Sequence, residues 1–184
     1  MSAATKHLLT VALNKCTQAK ITHEPSIKEI ISEVKHMLER AKEIQDKIIS
    51  LRRTIHINPE LSFQEHETAA LIAQTLGELN TEYQTGVGKT GVVARIGNGN
   101  GPAIGIRADM DALPMTEANT VDYRSQNEGK MHACGHDAHT AILMGVAMLL
   151  KDEKFDGEIR LIFQPSEENW DEEGKSGAVR KECR

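Results

Sequence analysis

Large rings are scarce in this chain. Aromatic residues make up 3% of its 184 positions, so a core must be assembled from Ile, Leu, Val and Ala. Cysteine is equally sparse. Cys16, Cys134 and Cys183 are odd in number and widely separated, which excludes a disulfide framework. No stretch approaches the roughly 18 apolar residues of a membrane span. The run Leu8–Leu13 is short and lacks the small-residue cleavage site of a secretory signal. Arginine is missing from the first 23 residues, which hold Lys6, Lys15 and Lys20 but no acid. An organelle presequence is usually Arg-rich, so a reducing, cytoplasmic setting is the expectation. Nor is there a basic surplus. The chain carries 22 basic and 27 acidic residues for a formal charge of -5, which argues against a general nucleic-acid binder.

What is present fits one ordinary domain. Residues 1–24 are weakly patterned. Pro25-Ser26 then opens a helix, with Ser26 and Glu29 spaced as a capping box. Ile27, Ile30, Val34, Met37, Ala41, Ile44, Ile48, Leu51 and Ile55 alternate in steps of three and four, one apolar seam that Ile31 and Leu38 widen. The width favours packing on its own domain over a coiled-coil dimer contact. The helix should end near Asn58-Pro59, because the residue before proline avoids helical geometry. A second helix is expected over Gln64–Leu79. Strand signals follow at 92–96 and 103–107, then a nearly all-apolar helix from Ala138 to Leu150, then a strand over Glu158–Phe163 that stops at Gln164-Pro165. Strands interleaved with helices indicate an α/β layered fold with a central sheet.

The densest chemical signal is His132-Ala133-Cys134-Gly135-His136-Asp137-Ala138-His139. Imidazole and thiolate both suit zinc and similar late first-row ions. Cys134 and His136 would diverge by about 200° on a helix but can meet one ion from a loop. Gly135 permits the bend, and Asp137 is a plausible N-cap for the buried helix. No second Cys/His cluster exists to close a structural zinc site. Glu167-Glu168 lies just past a strand, where open α/β sheets bind ligands. Adjacent residues of an extended chain face opposite sides, so one carboxylate can hold a metal while its neighbour takes a proton from water. Asp109, in Arg107-Ala108-Asp109-Met110-Asp111, is either a turn acid or a residue that orients a metal-bound histidine.

Four blocks together resemble the aminoacylase, hippurate-hydrolase and auxin-conjugate-hydrolase family. They are Leu51-Arg52-Arg53 to His56 with Pro59–Phe63, Gly105–Pro114, Met131–Asp137 and Ile162–Glu168. The resemblance covers roughly residues 45–178, and residues 1–40 match nothing familiar. It implies a three-layer metallopeptidase-type catalytic domain with a central mixed sheet, truncated, over residues 25–184, preceded by the long amphipathic helix. It implies metal ligation by Cys134, His136 and Glu168, general-base action by Glu167 and support from Asp109. Two divalent ions per complete site (Zn, Mn, Co or Ni) and a small N-acyl amino acid or short peptide substrate follow. Family members run on beyond this point with two further histidine ligands and a dimerising lid, whereas this chain stops sixteen residues after Glu168. A weakly active or inactive fragment is therefore expected, with a homodimer or a complementing C-terminal chain as partner. The alternatives are a non-catalytic metal-binding or assembly remnant, and a thiol hydrolase with Cys134 as nucleophile.

Overall fold

The structure, a computed structural model, describes residues 26–168. The N-terminal extension, the run Leu8–Leu13, Cys16, Cys183 and the closing segment from residue 169 lie outside the described residues. By internal contact the chain divides into two compact units, Met1–Leu38 and Glu39–Arg184.

Helix α1 spans Ile27–Glu43 and helix α2 spans Gln45–Ile57. The capping box forms as the spacing suggests: the Ser26 amide donates to Glu29 Oε2 at 2.7 Å, and the Glu29 amide to Ser26 Oγ at 3.3 Å. The single helix expected from the seam is interrupted at Ile44, where the backbone leaves helical geometry with φ -96° and ψ 0°. Burial of the seam also changes along its length. Ile27, Ile30, Ile31, Val34 and Leu38 are exposed, whereas Leu51 and Ile55 are buried. The interruption coincides with a close helix contact. Ile44 and Ile48 straddle Gly145, and a Cβ at Gly145 would lie 2.7 Å from Ile48 Cδ1. Leu51 and Ile55 of α2 pack into the core of their own domain, as the width of the seam suggests.

Helix α3 (His66–Glu78) precedes three strands, β1 (Glu82–Val87), β2 (Gly91–Gly97) and β3 (Ala103–Asp109). Helix α4 (His136–Leu150) then leads to β4 (Glu158–Gln164). The sheet order is β1-β2-β4-β3. The β1–β2 and β2–β4 pairs are antiparallel and β3–β4 is parallel, so the sheet is mixed. In β2 the alternation sends Val92, Ala94 and Ile96 inward and Arg95 outward. They meet Leu161 and Phe163 of β4, Ala108 of β3, Ile72 and Leu76 of α3, and Ala141, Leu143, Met144 and Ala147 of α4. Phe163 is the single aromatic among the fully buried side chains of the described residues, so aliphatic packing carries the core as the composition requires. The fold is α/β.

The parallel pair decides where the chemistry lies. Asp109 is in register with Gln164, so the chain leaves β3 and β4 side by side at one end of the sheet. The start of α4 reaches the same end, because the Thr140 hydroxyl donates to the Asp109 carbonyl at 2.9 Å.

Candidate metal centre

Three chain segments meet at this sheet end: residues 109–111 after β3, the loop and first turn 132–140, and residues 166–168 after β4. Gly135 is the residue before α4, at φ 86°, with no side-chain cap. The turn needs that conformation, which costs an L side chain about 1–2 kcal/mol. Gly135 thus takes the place expected for Asp137. Asp137 is instead fully buried, accepting from Arg52 Nε at 2.7 Å and lying 2.8 Å from His56 Nδ1.

The donors expected from the sequence converge. Cys134 Sγ, a His136 ring nitrogen and a Glu168 oxygen all lie within 4.8 Å of one another. His136 Nδ1 is 2.8 Å from the Asp111 carbonyl, which leaves Nε2 free to face outward. Nε2 lies 3.8 Å from Glu167 Oε2 and 3.9 Å from Glu168 Oε1. These gaps are too long for hydrogen bonds. The S/N/O donor set suits a zinc-like ion, and the three atoms are close enough to be candidates for sharing one. A second group, Asp109, His136 and His139, is equally tight. It shares His136, whose one outward nitrogen can serve one ion at a time.

Asp111, which the sequence reading did not single out, also lies against His136. Besides its carbonyl, its Oδ1 lies 3.3 Å from His136 Nδ1. Its Oδ2 accepts from Ser62 Oγ at 2.7 Å and from the Glu168 amide at 2.9 Å. Asp109 pairs with Arg107 and has a carboxylate oxygen within 4.8 Å of ring nitrogens of both His136 and His139. The two acids are two residues apart in an extended stretch, so alternation alone puts them on the same side.

Electrostatics follow from crowding five acids and a thiol. The hydrogen bond that the Cys134 thiol donates to Glu168, burial and the neighbouring carboxylates push that thiol up to about 11, away from the depressed values of nucleophilic thiols. Burial, then Asp109 and Glu168, raises Glu167 above the usual carboxylate range, as suits a proton acceptor. Burial disfavours the charged form of His136, but Asp111 outweighs it and the pKa is raised. For Asp111, burial is outweighed by bonds from His136, Ser62 and the Glu168 amide, so its pKa is lowered. Burial drives His132 down to about 4.

Residues 105–182 match the model of peptidase family M20/M25/M40. That stretch is similar to the M20 peptidases, the likeness that the four sequence blocks suggest. Relatives include thermostable carboxypeptidase 2 of Saccharolobus solfataricus, 51% identical over 74% of this chain and 36% of that protein. The hippurate hydrolase of Campylobacter jejuni is 45% identical over 72% of this chain and 35% of its own length. A crystal structure of a Bacillus subtilis dinuclear metal-binding M20 peptidase superposes with a TM-score of 0.66 at 47% identity, covering 69% of this chain and 36% of that one. The chain thus spans about 36% of the length of such relatives. None of its described helices is long and apolar enough to cross a membrane.

Proposed function

We propose that this chain contributes to metal-dependent hydrolysis of the amide bond of N-acyl or N-conjugated amino acids. Cys134, His136 and Glu168 hold a divalent ion, and Glu167 is the general base. The observation that carries the reading is the convergence of these three donors beside a second carboxylate at the ends of two parallel strands. Curated relatives named hippurate hydrolase, N-acetyl-L-cysteine deacetylase and IAA-amino acid hydrolase support the substrate class. The dinuclear relative supports two ions per complete site.

A bound divalent ion supplies Lewis acidity, which polarises an amide carbonyl and makes water easier to deprotonate. The remaining steps fall to side chains of the chain. Asp111 fixes the His136 ring so that Nε2 faces the donor group. Glu167, with its raised affinity for a proton, takes one from the attacking water and returns it to the leaving nitrogen. Cys134 must lose its proton on ligation, so the carboxylates that hold that proton in the metal-free chain compete with the ion. The same raised Cys134 pKa speaks against the thiol-hydrolase alternative.

Calorimetric metal titration joined to an assay on N-acetyl and N-benzoyl amino acids tests the reading. Cys134→Ser and His136→Ala should lose metal. Glu167→Gln should keep metal and lose about 10²–10⁴-fold of whatever turnover the chain has. Full metal binding by Cys134→Ser would refute the assigned ligand set.

A further inference from the structure

Glu65 is 0% exposed, and among the described residues no ion pair reaches it. Burial raises its pKa, against the opposing hydrogen bonds of Thr90 and Ser166. A buried carboxylate without a cation is costly unless its oxygens are well satisfied. Both are satisfied here. Oε2 accepts from the Thr90 hydroxyl, and Oε1 from the backbone amide of Ser166 at 2.9 Å.

Glu65 stands immediately before α3 yet makes no side-chain cap there. Glu60 does that work from a distance, accepting from the amides of Glu67 at 3.0 Å and Thr68 at 2.8 Å. The Glu65 carboxylate is thereby left to point inward, toward the end of β4. Its partner Ser166 is fully buried and holds φ at 53°, the left-handed region that a non-glycine residue enters at a cost. Such a conformation persists when neighbours over-determine it. Glu167 and Glu168 follow directly. The Glu168 amide is tied to Asp111 Oδ2 at 2.9 Å. The acidic pair therefore runs between two anchored amides, Ser166 on Glu65 and Glu168 on Asp111.

We propose that Glu65 is a positioning residue for the Glu167–Glu168 pair: its buried carboxylate holds the left-handed turn at Ser166 that aims Glu168 at Cys134 and His136. The inference rests on the metal-centre reading above, and the experiment separates the two. Cobalt(II) is titrated into the 184-residue chain, and the thiolate-to-cobalt charge-transfer band and the ligand-field bands are recorded. Glu65→Ala should weaken cobalt binding by about 10–100-fold, the usual effect of losing an outer-shell support, and should alter the ligand-field bands. Glu65→Gln keeps a carbonyl for the Ser166 amide and should stay within about threefold of wild type. Leu76→Ala, which opens the core on the same helix away from the turn, should leave affinity and spectrum unchanged. Should Glu65→Ala fail to fold, Thr90→Val decides, because it removes one of the two donors that fix Glu65. A weakening of about 3–10-fold is expected from it, and wild-type affinity would overturn the role. Unchanged binding in Glu65→Ala, or equal loss in Leu76→Ala, also overturns it. If wild type and Cys134→Ser bind cobalt alike, the metal-centre reading fails and this inference with it. If wild type binds through Cys134 and the Glu65 variants do not differ from it, only the positioning role is lost.

Discussion

At the residue scale, the acids of this chain divide by partner rather than by type. Asp111 and Glu117 each collect several donors and are held more acidic. Glu65 and Glu167 are raised by burial first. Glu117 allows a clean pH test. Burial alone would raise it, but the Ser125 amide at 2.6 Å, Asn119 and His56 outweigh burial and lower it to about 2 from 4.5. A carboxylate lowered on folding stabilises the fold above its unfolded pKa, and that stabilisation fades as the folded pKa is approached from above. Urea unfolding between pH 4.5 and 2 should therefore show a steeper loss of stability in wild type than in Glu117→Gln. Parallel slopes would remove Glu117 from the account. Little of this was legible beforehand. His56 and Asp137 are far apart in sequence, and nothing local reveals that a buried imidazole lies between Asp137 at 2.8 Å and Glu117 at 3.1 Å.

At the element scale, the helices and the inner strands read well because their periodicities are strong. The capping box at Ser26, the end of α2 near Asn58 and the helix over Ala138–Leu150 all follow local rules, with α4 beginning two residues earlier than expected. Strand β1 went unread. It is an edge strand whose residues 82–86 are all exposed, so it carries no inward-outward alternation. Turns are where elements meet the site. Gly91 opens β2, and a Cβ there would stand 2.4 Å from the Val87 carbonyl oxygen and 2.8 Å from Pro165 Cδ. Backbone cannot yield as a side-chain tip can. Gly91→Ala should cost about 1–3 kcal/mol, read as a lower denaturation midpoint. Because Pro165 adjoins the Glu65-anchored turn, the same variant should weaken metal binding. A wild-type midpoint would show that the strand relaxes freely.

For the whole molecule, the described residues offer one ion a three-donor set and offer a second ion only a set that competes for His136. An M20 relative is a dinuclear peptidase, and this chain spans about 36% of such relatives. With one three-donor set and a second that shares His136 among the described residues, the 184-residue chain assayed by itself should hydrolyse an N-acetyl amino acid far below about 1 per second, a typical enzyme rate. A purified, metal-loaded sample turning over faster would show that these residues suffice. Its metal affinity should likewise fall short of that of the dinuclear relative, as paired titrations would reveal.

The sequence by itself determined the α/β class, the helices over 64–79 and 138–150, three of the four strands and the short list of candidate donor side chains. Each of these is written in local periodicity or in rare residue types placed close together. The tertiary structure alone decided the relations between distant segments. It brought Asp111 against His136, turned Asp137 from a cap into a partner of Arg52 and His56, and set Glu65 behind the glutamate turn. The physical reason is that hydrophobic periodicity is a one-dimensional signal. A hydrogen bond between residues 65 and 166 exists only once the core has brought α3 and the end of β4 together.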